Sequence, residues 1–128
     1  MNREEFIEKY YAIVERALRF SEKARREGLL ALEDEIDQEK ENGRDIFEYG
    51  LRFVVDGYDA AIVDEILSNI VNQEKDEQLR LLKTIQKEAV LGIQVGMNAR
   101  GMYALLNSHT GLSLNEDKMK EKMEELYA

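Results

Sequence analysis

The sequence predicts an all-α fold: one domain, built as an irregular bundle of four to six helices. Three observations carry this expectation. Apolar residues recur at three- and four-residue steps along most of the chain, the period of a helix with one buried face. The 128 residues include no proline, the residue that most often breaks or punctuates helices. Glu, Lys, Leu, Ala and Arg, the strong helix formers, dominate the composition. With 44% hydrophobic residues, the chain carries enough apolar surface for a packed core.

The elements follow in order. Residues 3–40 read as a long helix with Phe6, Tyr10, Ile13, Ala17, Phe20 and Ala24 on one face. Gly28 marks a kink or short break, after which Leu29, Leu32 and Ile36 resume the stripe. The polar run 37–44 contains Asn42-Gly43 and reads as a turn. A second helix, 45–55, starts on Asp45 as N-cap and buries Ile46, Phe47, Leu51 and Val54. Asp56-Gly57 ends it, with Gly57 able to take a left-handed conformation. Asp59 opens a third helix, whose expected stripe is Ile62, Ile66 and Ile70, with Val63, Leu67 and Val71 alongside.

The polar stretch 72–78 is either an exposed part of one long helix or a link between two. Leu79, Leu82, Ile85, Ala89 and Ile93 restart helical spacing. A shorter helix, 99–107, follows Gly96, with Asn98 and Arg100 at the junction. His109 to Ser113 read as a loop. The last segment, Asn115–Tyr127, reads as a charged amphipathic helix with Met119, Met123 and Leu126.

The formal charge of −9 disfavours phosphate backbones, so nucleic acid is not an expected partner, and a basic protein surface is. Without cysteine there is neither a disulfide framework nor a thiolate metal site, as fits a reducing compartment. The longest apolar runs, such as Ala89–Ile93, fall far short of the ~20 residues a spanning helix needs. The N-terminal Met-Asn-Arg-Glu-Glu does not resemble a secretion signal. A cytoplasmic protein is the expectation.

Three local patterns, in this order, resemble the cytoplasmic parts of the flagellar motor stator protein A (MotA) family. The first is Glu22-Lys23-Ala24-Arg25-Arg26-Glu27-Gly28-Leu29-Leu30-Ala31-Leu32-Glu33, similar to the family's Arg-x-x-Gly-x-x-x-Leu-Glu as its loop leaves span two. The second is Phe47-x-x-Gly50-Leu51-x-x-x-Val55-Asp56-Gly57-x-Asp59, similar to the segment leading to span three. The third is Ala89-Val90-Leu91-Gly92-Ile93-Gln94-x-Gly96-x-Asn98-x-Arg100, similar to the tail after span four. The resemblance divides the chain into a MotA-like cytoplasmic helical domain, 1–114, and a C-terminal charged helix, 115–128. The domain has a loop-like part, 1–73, and a tail-like part, 89–110. Polar residues 72–88 stand where spans three and four would lie, and Ala99 replaces the tail's usual proline. The family's ion conduction, which runs through its spans, is therefore not carried over. A natural relative without spans and a chain from which spans were removed both fit.

The resemblance also implies the candidate site. In the family, an Arg and a Glu of the first motif meet opposite charges on the rotor; by position these are Arg25 and Glu33, with Arg26 adjacent. Eight residues apart on one helix, they would sit some 80° apart around the axis and about 12 Å along it, open to one partner surface. The implied partner is a flagellar rotor or switch protein (FliG-like) or another motor protein. The plainer alternative pairs Arg25 within its own helix, with Ser21 or Glu22, and leaves Glu33 solvated. Asp56, Gly57 and Asp59 read as turn and cap residues. Gly92 and Gly96 suit a tight helix contact.

Two further functions stay open. The acidic cluster Glu33, Asp34, Glu35, Asp37, Glu39, Glu41, with Asp64 on a later helix, has carboxylate spacings like those of all-α magnesium-dependent nucleotide pyrophosphohydrolases. No basic or aromatic substrate motif accompanies it. A self-associating structural helical protein is the other. His109, the single histidine, has no second histidine or cysteine with which to share a metal. The expectation is a protein-interaction module, not an enzyme, with no cofactor and no metal.

Overall fold

The computed structural model describes residues 1–39, 45–111, 121 and 124. Among these lie six α-helices: α1 (Arg3–Glu27), α2 (Glu33–Glu39), α3 (Ile46–Val55), α4 (Ala60–Gln73), α5 (Glu77–Gln94) and α6 (Ala99–Asn107), with a 3-10 turn at Leu29–Leu32. No strand occurs among them. The all-α bundle is the observed fold. The amphipathic segment 115–128, the turn at Asn42-Gly43, and the side chains of Asp37, Glu39 and Glu41 fall outside what is described.

Helix α5 is the centre of the bundle, packed against α1, α3 and α4. Its inner face carries Leu82, Ile85, Ala89, Val90 and Ile93, all buried. Helix α1 contributes Tyr10, Val14, Ala17, Leu18 and Phe20, and Phe20 meets Phe47 of α3 edge to face with centroids 5.2 Å apart. The phenol of Tyr10 donates to Asn107 Oδ1 at 2.9 Å, so two buried polar groups satisfy one another and tie α6 to α1. Burial pushes the Tyr10 phenol above its ordinary range.

Two glycines let helices approach closely. A Cβ on Gly50 would stand 2.7 Å from Leu67 Cδ1 and 3.0 Å from Val90, so α3 can approach α4 and α5 only because that position has no side chain. On Gly92 a Cβ would stand 2.8 Å from Met102 Cε, which seats α6 on α5.

The structure differs from the sequence reading in two places and decides between its alternatives in a third. Residues 3–39 are not one helix. α1 ends at Glu27, Gly28 has φ 93°, and α2 turns back along α1, where Glu35 pairs with Arg19 at 3.1 Å and Lys23 at 3.2 Å. Second, α4 buries Val63, Leu67 and Val71, and Ile62 is left 43% exposed. The two stripes have the same spacing; the position of α3 and α5 selects the one that faces inward. Of the two readings of 72–78, the link between two helices is the observed one. α4 runs to Gln73, Glu74-Lys75-Asp76 turns the chain, and Asp76 caps α5 by accepting from Leu79 N–H at 2.9 Å. That turn stands where the resemblance places two membrane spans. Among the described residues no helix is long and apolar enough to cross a membrane.

Candidate functional site

Three helices, α1, α3 and α5, run in the same direction and stop at the same end of the bundle. The side-chain bonds across that end show it. Ser21 Oγ donates to Met97 O at 2.6 Å, Arg25 Nη1 donates to Gly96 O, and Gln94 Nε2 donates to Tyr58 O at 2.7 Å. Each helix terminates at a glycine in the left-handed region: Gly28 (φ 93°), Gly57 (φ 87°) and Gly96 (φ 81°). After α3, Gly57 N–H bonds Val54 O and Tyr58 N–H bonds Phe53 O, both near 3.0 Å. After α5, Gly96 N–H bonds Ile93 O and Met97 N–H bonds Gly92 O in the same way. These are paired closures that satisfy the last carbonyls of a helix and need positive φ at the glycine. Phe53 and Tyr58 stack edge to face over the first of them, centroids 5.2 Å apart.

The residues singled out from the sequence gather on this pole, though not on one helix. Arg25 and Arg26 lie in the last turn of α1, where cations complement the helix dipole. Glu33 lies in the first turn of α2, beyond the Gly28 break, where an acid complements the dipole of the other sign. The single-helix geometry expected for Arg25 and Glu33 is therefore replaced: the chain folds back between them, because a left-handed Gly28 ends α1. All three side chains are exposed. Arg25 pairs with neither Ser21 nor Glu22; it reaches the carbonyl of Gly96. Arg26 lies loosely near Glu22 (4.0 Å) and Glu27 (3.8 Å) with 65% of its side chain exposed. Glu33 makes no ion pair among the described residues.

Asp56 occupies the C-cap of α3, and Gly57 the left-handed position after it. Asp59 occupies the N-cap of α4, but its carboxylate makes no bond to the first-turn amides, which go to its carbonyl oxygen. Of the two α5 glycines, Gly92 makes the tight helix contact and Gly96 closes the end. Sequence patterns gave no reason to single out Leu30 and Val95, which stand 71% and 69% exposed at this pole, or Tyr58 at 46%. The only available signal was that Val95 and Leu30 fall off the stripes of their own segments.

The chain is similar to Motility protein A. Against the protein of that name from Treponema pallidum it is 32% identical over 108 residues, which cover 80% of this chain and 40% of the relative. Against that of Treponema phagedenis the identity is 36% over 85 residues, 66% of this chain and 32% of the relative. Against that of Borreliella burgdorferi it is 32% over 99 residues, 76% and 37%. The chain thus spans about a third to two-fifths of the length of these curated Motility protein A relatives. No family model matches the chain, and no solved structure does.

Two of the carboxylates weighed for magnesium are engaged by other groups. Asp64 accepts from Ser68 Oγ at 2.9 Å and lies 3.2 Å from Lys87 Nζ, so an ammonium already stands where a cation would. These two contacts, the Ser68 bond first, hold the Asp64 carboxyl below the usual carboxylate range. Glu35 is taken by Arg19 and Lys23. No group of three or more potential ligands is gathered among the described residues. His109 sits in the turn after α6.

Proposed function

We propose that this chain is a protein-interaction module of bacterial flagellar motility, which binds a rotor or switch component of the motor, or a motor regulator, through the charged pole that carries Arg25, Arg26 and Glu33. The similarity to Motility protein A, over as much as 80% of this chain, carries the reading. The pole supports it. The last turns of α3 and α5 are closed by backbone hydrogen bonds and Arg25 ties α1 to Gly96, so Arg26 and Glu33 are not needed to hold the end together. Cations and acids offered on two short, antiparallel segments suit a contact made and broken repeatedly, because exposed charge pairs steer encounter and set register while adding little lasting affinity. The chain works in the cytoplasm, beside the membrane-associated motor, as a binding partner and not as a catalyst.

The test is binding of the purified full chain to a purified flagellar switch protein, at low and at high salt. Arg26→Glu and Glu33→Lys, neither of which removes a backbone tether, should each weaken binding by roughly tenfold, about 1.4 kcal/mol, with an unchanged helical spectrum. Raised salt should mimic them. Absence of binding by the unaltered chain at low salt would sink the proposal.

A further inference from the structure

A second surface lies on the other half of α1. Helix α3 starts only at Asp45, which Arg16 grips, so the first half of α1 and the start of α5 have no α3 between them. The space left is an open groove of about 650 Å³. Ile13, Ile46, Ile70 and Leu82 form its apolar wall, and Leu79, 40% exposed, stands at the rim. From Lys9 to Arg16 the α1 wall is about 10 Å long, two turns of helix.

The charges on the walls run against the rest of the chain. Lys9, Arg16 and Lys83 line the groove with one carboxylate, Asp45, on a protein of net charge −9. Arg16 is fixed in place by Asp45 and by Phe47, whose ring centroid lies 4.4 Å from its guanidinium carbon. Lys83 shares its charge with Glu74 at 2.8 Å, from outside the lining, while Lys9 makes no ion pair among the described residues.

We propose that this groove receives an acidic amphipathic helix of another protein. Two turns present leucine-like side chains at i, i+3, i+4 and i+7 to the apolar wall, and flanking carboxylates meet Lys9 and Lys83 at the rim. The positive rim selects the sign of the partner; the apolar wall supplies the affinity. Arg16 sits nine residues before Arg25, about 14 Å along the helix, so this surface does not depend on the pole or on the function proposed for it.

The test uses the full chain and a fluorescein-labelled peptide of about 14 residues, with leucines at those spacings and glutamates elsewhere, beside a lysine-for-glutamate counterpart. The glutamate peptide should raise anisotropy with saturable binding, at least about tenfold tighter than the lysine peptide. Lys9→Glu should cut that affinity several-fold, Lys9→Glu with Lys83→Glu by about tenfold, and Leu79→Ser, at the exposed rim, comparably. Lys9 is exposed and makes no ion pair among the described residues, so the single variant reports on binding even if the double one folds poorly. The proposal is overturned by no binding of the glutamate peptide up to about 1 mM. Equal binding of the two peptides, or affinities indifferent to Lys9→Glu and Leu79→Ser, overturns it too. So does a large gain in affinity when Met119, Met123 and Leu126 are changed to serine in the full chain, which would make the chain's own last segment the occupant.

Discussion

At one end of the bundle α1, α3 and α5 stop on left-handed glycines, and backbone amides close the last turns of α3 and α5. At their other ends the same three helices start under side chains: Asn2, Asp45 and Asp76 each accept an amide of the first turn at 2.8 to 2.9 Å. The two kinds of ending leave different surfaces. Where the backbone closes itself, Arg26 and Glu33 are spare, and the pole can present them without loss of structure. Where side chains do the closing, they are committed, and the feature left open is a gap between helices. A partner site can therefore arise at the glycine end from charge, and at the capped end from shape.

The largest expected effect would break the core on which both ends depend. Gly50→Ala should lower stability by about 2 kcal/mol in urea titration, since a methyl group there overlaps Leu67 and Val90, and the ~1 kcal/mol gain in helix propensity only partly offsets that. Gly92→Ala, facing the flexible end of Met102, should cost clearly less. If the two cost the same, the contact at Gly50 is softer than its geometry.

The contrast between the ends is sharpened by the two aspartates. Asp76→Ala should cost about 1 kcal/mol, the worth of an N-cap bond, whereas Asp59→Ala at the pole should cost almost nothing, because its carboxylate makes no such bond. Equal losses in paired thermal melts would mean that the Asp59 carboxylate also helps to hold the pole.

A third variant acts between the ends. Glu48 stands three residues after Asp45, the spacing of a reciprocal capping box, yet only half of it forms: Glu48 N–H bonds Asp45 Oδ1 at 2.9 Å. The Glu48 side chain is 1% exposed, and neither carboxylate oxygen has a hydrogen-bond partner among the described residues. Removing those unpartnered buried oxygens should help, so Glu48→Met, of similar length and without polar atoms, should raise stability by about 1 kcal/mol, seen as a higher melting temperature.

The smallest effect is a pH dependence. The folded carboxyl of Asp64 lies below its unfolded value of 3.8, so its contribution is present above that pH and lost as pH falls through the lower, folded value. The group is about half exposed, so the change is slight. Asp64→Asn should therefore lower stability slightly near neutrality, and the loss should vanish as pH falls below 3.8.

Much of this was legible in the chain. Asp45 as the start of α3, Gly57 as the stop after it, Gly96 ahead of α6, and the inner face of α3 all follow from rules that act within four residues. Other features lay beyond that range. The stripe of α4 could not be assigned, since Ile62-Ile66-Ile70 and Val63-Leu67-Val71 have identical spacing and nearly identical hydrophobicity. Arg25 could not be matched to Gly96, 71 residues away. Nor did the pattern Arg25…Glu33 reveal that the chain reverses between them, because Gly28 permits several backbone states and only packing chooses one.

By itself, then, the sequence determined which stretches are helical, where most of them begin and end, and that their surfaces are acidic, because capping, periodicity and charge are properties of neighbours along the chain. The tertiary structure alone decided which face of α4 is inside, that three helices finish together at a charged pole, and that a short α3 leaves a positive groove beside a long α1. Those outcomes depend on how helices of unequal length share one core, and no local rule contains the lengths and crossings of the others.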